Sequence, residues 1–125
     1  MSNIKVSVIL PVINETFSLE KTVEVITKNS KDEISEIIIV VSKNKTTSES
    51  LRLINNLEMI KYPNLIKTHF QDLPFIGGAI QKGFQISSGT HILMMASDLE
   101  TDPNDVKKLI DLSKLNTSSI ITANR

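Results

Sequence analysis

The 125-residue chain contains no cysteine and no tryptophan. Without thiols it forms no disulfide, no thiolate nucleophile and no zinc–thiolate centre, which fits a reducing, cytoplasmic setting. Net charge is missing as well. Fourteen Lys plus Arg balance fourteen Asp plus Glu, so no overall field recruits nucleic acid or an anionic membrane surface. No apolar run approaches the roughly 18 residues that a membrane span requires. The polar lead Met1–Lys5, followed by an apolar run that ends at Asn14, is not a signal peptide. The two histidines, His69 and His91, stand far apart in sequence and read as structural. A chain of this length is expected to form one domain with a single core, spanning residues 1–125.

What is present is an alternation of two hydrophobic periods. Lys5–Pro11 is a β-branched run stopped by proline, a short buried strand. Ser18 then reads as the cap of a helix carrying Leu19, Val23 and Ile26 to about Lys28, with a polar linker over 29–33. Ile34 and Ile37–Val41 make a second strand, apolar on both faces, as in a parallel sheet covered by helices on each side. Thr46-Thr47-Ser48-Glu49 matches a capping box ahead of Leu51, Ile54 and Leu57. Tyr62-Pro63-Asn64 breaks that helix, and 65–70 is a weaker third strand. Ile76, Ala79, Ile80, Gly83, Phe84 and Ser87 place a helical stripe after Gln71–Phe75, with Gly89 as its left-handed C-cap. A fourth strand opens at His91, a helix with Val106, Leu109, Ile110 and Leu112 follows, and Ser119–Thr122 reads as a fifth strand. This β-α-β-α-β-α-β-α-β order predicts an α/β fold: three layers, a mostly parallel sheet, and helices on both faces.

The most informative stretch is His91–Pro103, where a strand turns abruptly acidic. Asp98, Glu100 and Asp102 fall between a strand and a helix, in the crevice where open α/β sheets bind ligands. Asp102-Pro103 has the chemistry of an N-cap followed by a first helical residue, so Asp102 has a purely structural use. Asp98 and Glu100 can face one ion, and oxygen-only ligands suit Mg²⁺ or Mn²⁺. Other phosphate-binding patterns are absent. The first strand is followed by Pro11-Val12-Ile13-Asn14-Glu15 in place of Gly-x-Gly-x-x-Gly, and no Gly-Lys-Ser/Thr loop occurs. A receiver domain's acidic pair and central Asp are missing too, because Leu10-Pro11 and Thr68-His69 occupy those places.

Four segments in order resemble the amino-terminal half of an inverting glycosyltransferase of family two, with the Rossmann-like GT-A fold. They are Val6–Glu15, Gly77–Phe84, Ala96–Pro103 and Ile120–Arg125. The nearest subgroup by resemblance is the polyprenyl-phosphate sugar transferases of the dolichol-phosphate mannose type. The resemblance implies a nucleotide-diphosphate sugar as partner, with Pro11, Val12, Glu15 and Ser42 at the nucleotide, Arg125 near the diphosphate, and Asp98 and Glu100 on a divalent cation. It also implies a polyprenyl phosphate or other acceptor, bound by a second half that this chain lacks, with membrane association through segments outside it. Two departures stand out: the first Asp of the Asp-x-Asp signature is Ala96, and the family's Asp after strand two is replaced within Ser42-Lys43-Asn44-Lys45. The alternative reading is a non-catalytic module of the same fold, binding nucleotide weakly or serving a protein partner. Uncovered strand edges would also permit self-association.

Overall fold

The two most apolar runs become the central strands. In the computed structural model, which describes residues 4–100 and 102–115, β1 (Val6–Val12) lies parallel to β2 (Ile34–Val41), with Val8 opposite Ile37 and Val12 opposite Val41. β3 (Ile66–Phe70) adds to the outer side of β2, and β4 (His91–Met94) to the outer side of β1. The sheet order is therefore β3-β2-β1-β4, all parallel. The direction of winding reverses between β1 and β4, which makes their carboxyl ends the topological switch point. The α/β, three-layer reading holds. The expected fifth strand, Ser119–Thr122, lies outside the described residues.

The two faces of the sheet are covered unequally. On one face, Val8, Leu10, Ile37, Ile39 and Val41 pack against α1 (Phe17–Ser30), α2 (Ser48–Asn56) and α4 (Asp105–Leu115). Leu19, Val23 and Ile26 of α1 are wholly buried there, each contributing about 1.5–3 kcal/mol. On the other face, among the described residues, only α3 (Phe75–Ile86) crosses Ile9, Ile38 and Val40. Gly83 makes that approach possible, since a Cβ there would stand 2.6 Å from the Ile9 side chain. Gly77 and Gly78 take no part in that approach: nothing lies near Gly77, and Gly78 is pressed against the Leu73 backbone. Single coverage also explains why β4 is half-wet: Ile92 and Met94 are 41% and 43% exposed, whereas Met95 is buried. Ile76 and Phe84, expected on the apolar face of α3, are exposed for the same reason.

Several boundaries move. α1 begins at Phe17 and runs to Ser30, so Ser18 sits inside its first turn, where its carbonyl accepts from the Thr22 hydroxyl. The α2 cap is Thr47, whose hydroxyl accepts the Ser50 N–H, one residue later than the box motif suggested. A π-helical turn, Leu57–Lys61, continues α2. Gly89 is not left-handed, because no glycine has a positive φ. Its reason is space: a Cβ would strike the Lys5 carbonyl and the Ser7 hydroxyl.

The expectation that β2 is apolar on both faces fails at one position. Glu36 is 1% exposed. The β1–β2 register slips by a residue between Val6 and Ser7, a bulge that brings Glu36 opposite Ser7 on the α3 face. There its carboxylate accepts from the Ser7 hydroxyl (2.6 Å), the Lys67 ammonium (2.9 Å), and the N–H and hydroxyl of Ser88 (2.7 and 2.9 Å). Burial opposes its ionisation, but the Ser7, Ser88 and Lys67 donors outweigh burial and hold its pKa down to about 2, from an ordinary 4.5. As pH falls below 4.5 the unfolded chain takes up this proton while the folded chain does not, so stability drains until about pH 2. Denaturant unfolding between pH 5 and 2 is expected to show a loss of about 3 kcal/mol from this group. Glu36→Gln is expected to be less stable at pH 7 and to lose that acid limb.

Candidate functional site

The carboxyl ends of the strands gather most of the residues singled out in the sequence. Pro11 and Val12 close β1, opposite Val40 and Val41, and Ser42 follows β2 directly. Thr46, which the capping motif had misassigned, joins these ends. Its hydroxyl donates to the Val12 carbonyl and accepts the Ser42 N–H, both at 2.8 Å. The Thr47 N–H donates to the Ile13 carbonyl, and the Ser50 hydroxyl donates to the Glu15 carbonyl. The loops after β1 and β2 thus form one hydrogen-bonded unit. Within it the Glu15 carboxylate turns back to accept the Ile13 N–H at 2.8 Å.

The acidic turn lies on the other side of β1. The Met95 N–H donates to the Ile9 carbonyl, holding the exit of β4 beside β1. Beyond it Asp98, Leu99 and Glu100 are exposed. One Asp98 oxygen accepts the Glu100 N–H at 3.0 Å, and this tight closure puts Leu99 at φ 68°, left-handed backbone that a branched side chain disfavours. Asp98 has no ion pair among the described residues. Ser97 beside it is 1% exposed, and its hydroxyl has no hydrogen-bond partner among the described residues. Nothing in the sequence pattern signalled that orphan.

Asp102 is committed elsewhere. Its carboxylate accepts the Asn104 N–H at 2.9 Å and the Asn104 side-chain amide at 3.0 Å, and these bonds lower its pKa. It therefore closes the turn over 102–104 ahead of α4, which begins at Asp105, two residues later than the Asp-Pro pair predicts. Among the described residues no group of three His, Cys, Asp or Glu could hold a metal ion. Two carboxylates still suit Mg²⁺ or Mn²⁺, which complete their shells with phosphate oxygens and water. A buried Ser97 hydroxyl lacking a partner adds a polar group to the same turn. Arg125 lies outside the described residues.

The rim of β2 and β3 carries cations. Lys43 Nζ sits 5.9 Å from the centre of the Phe70 ring, and Lys45 Nζ 4.6 Å from that of Phe75. A cleft of about 680 Å³ opens at the opposite end of the sheet, beside Lys28, Glu33, Lys107 and Lys114. Its central carboxylate, Glu33, is already neutralised: the Lys107 and Lys114 ammoniums donate to it at 2.9 and 3.3 Å. It stands apart from the switch point.

A parallel β3-β2-β1-β4 sheet, with loops at its switch point and carboxylates beyond β4, defines an α/β fold of the Rossmann-like GT-A kind. The chain belongs to glycosyl transferase family 2, whose family model matches residues 7–125. Among solved structures it is similar to glucosyl-3-phosphoglycerate synthase from Mycobacterium tuberculosis in complex with Mn²⁺, uridine diphosphate and phosphoglyceric acid, at 20% identity and a TM-score of 0.65, over 86% of this chain and 38% of that one. The uridine-diphosphate complex of that enzyme aligns at 22% identity and a TM-score of 0.68, over 93% and 41%. The chain thus spans about two-fifths of the length of these structures. Among curated proteins none matches it.

Because the Leu99 backbone is held left-handed, Leu99→Gly is expected to raise stability by about 1 kcal/mol. Thermal or denaturant unfolding measures it.

Proposed function

We propose that this chain is the donor-binding half of a family 2 glycosyltransferase, taking a nucleotide-diphosphate sugar with Mg²⁺ or Mn²⁺ for inverting glycosyl transfer. The observation that carries the reading is the acidic turn at the switch point. There Asp98 is exposed and without an ion pair among the described residues, two residues from Glu100 and beside a buried hydroxyl lacking a partner. Asp98 and Glu100 would hold the cation. When bound, such a cation neutralises the charge that develops on a departing nucleoside diphosphate. Pro11, Val12, Glu15 and Ser42 supply the nucleotide side of the crevice, where the Thr46 hydroxyl keeps the β1 and β2 loops together, and Arg125 would approach the diphosphate. The family 2 match supports the donor class, and so does a structural neighbour holding Mn²⁺ with uridine diphosphate. For the acceptor we infer a phosphate-bearing molecule. A polyprenyl phosphate, as in the dolichol-phosphate mannose type, follows from the sequence resemblance, and the neighbour's phosphoglyceric acid shares its phosphate.

Calorimetric titration of UDP or GDP with Mn²⁺ tests the reading. Wild-type chain is expected to bind one of them only when the metal is present, and Asp98→Ala to weaken that binding at least about tenfold, or ~1.4 kcal/mol. Binding indifferent to metal, or unchanged in Asp98→Ala, would leave the non-catalytic module as the better account.

A further inference from the structure

We propose that Phe75 and Lys45 form the seat of the donor's base: the ring stacks the base, and the ammonium donates to one of its ring carbonyl oxygens. This rests on the donor-site reading above and adds to it the chemistry of base selection. Phe75 is 70% exposed, so its ring adds little to the core. Its backbone is nonetheless forced to φ 66°, a region disfavoured for any side chain with a Cβ. The surrounding loop enforces that shape. The Gln71 side chain donates to the carbonyls of Leu73 (2.7 Å) and Phe75 (2.9 Å), while the Gln71 N–H donates to the Val41 carbonyl at the end of β2. An aromatic ring is thus presented to solvent from a fixed mount at the carboxyl rim of the sheet.

The mount lies at the right distance from the acidic turn. Strands in a sheet are about 4.8 Å apart, so the rim over β2 and β3 is about 10–14 Å from β4. That is the span of an extended nucleoside diphosphate from its phosphates to its base. The Ser42–Lys45 loop contains cations and no carboxylate, and Asp72, the acid of the neighbouring loop, is paired with Lys82 at 3.3 Å. A side chain that only donates is best met by a carbonyl oxygen, which uracil and guanine carry and adenine lacks. Lys45 Nζ already lies 4.6 Å from the ring centre. A base arriving on the ring displaces the ammonium from the ring face to the base edge, replacing an exposed cation–π contact with stacking plus a charge-assisted hydrogen bond.

Calorimetry with Mn²⁺ and four probes tests this: UDP, GDP, ADP and inorganic pyrophosphate, which has no base. The proteins are wild type, Phe75→Leu, Phe75→Gly and Lys45→Met, with thermal melts to verify folding. Wild type is expected to favour UDP or GDP over ADP. Both Phe75 variants should bind the favoured nucleotide about tenfold more weakly while binding pyrophosphate as wild type does. Lys45→Met should narrow the preference over ADP. Unchanged nucleotide affinity in the Phe75 variants, or a parallel loss of pyrophosphate, overturns the base seat and leaves the donor-site reading standing. Failure of wild type to bind either UDP or GDP overturns both.

Discussion

The structure depends on one buried carboxylate. Glu36 sits on a sheet that is otherwise packed with Val, Leu and Ile, and an ionised group there is tolerable only if fully hydrogen-bonded. Its donors come from separate pieces of chain: Ser7 in β1, Lys67 in β3, and Ser88 in the turn that leads into β4. The Ser7 hydroxyl in turn accepts the Gly89 N–H. A one-residue slip of any strand would reverse its faces and strand the charge. Apolar packing alone would tolerate several registers among so many similar β-branched residues; the Glu36 cluster admits one. Because it grips both β1 and the approach to β4, it fixes the relative height of the two strands whose far ends frame the switch point.

The unequal coverage of the sheet has a related origin. Three of the described helices, α1, α2 and α4, shelter one face, and α3 alone crosses the other. α3 lies close because Gly83 removes the Cβ that would meet Ile9, and Ala79 follows the same logic. A close helix shelters a narrow strip, so the β4 side chains on that face, Ile92 and Met94, are left half in water. The same crossing carries the start of α3 over the ends of β2 and β3, which is how Phe75 reaches the rim.

Layer order and parallel pairing were legible in the sequence because they depend on period, and the period is written plainly in Val6–Leu10 and Ile37–Val41. Asp102 as a structural residue was legible too, since its chemistry is local. What escaped were features fixed by contact between distant segments. Glu36 looks like one polar residue in a strand until the bulge at Ser7 turns it inward. Thr46 looks like part of a capping box until its hydroxyl is found bridging Val12 and Ser42. Gly89 looks like a helix stop, yet its reason is the backbone of Lys5. The Ser97 hydroxyl has no signature at all, because a missing partner is a property of packing. Of the candidate site, Asp98 lies in the turn beyond β4, and Pro11, Val12 and Ser42 lie at the carboxyl ends of β1 and β2. The orientation of Glu15 toward its own loop was not foreseen.

The rim has an electrical polarity that follows from this arrangement. Lys43 and Lys45 stand over β2 and β3, the carboxylates of Asp98 and Glu100 lie beyond β4, and the polar turn after β1 lies between. A plain anion is drawn to the first end and repelled by the second. On the proposed reading, a nucleoside diphosphate resolves the conflict only when its phosphates arrive with a divalent cation, which converts the repulsion at Asp98 into attraction while its neutral base meets the lysines through carbonyl oxygens. With Ala96 in place of a third carboxylate, the protein's share of the cation's coordination is small and the phosphates must supply more of it. Metal and nucleotide should therefore bind as one unit, each weak without the other, so their coupling is a property of the charge pattern itself.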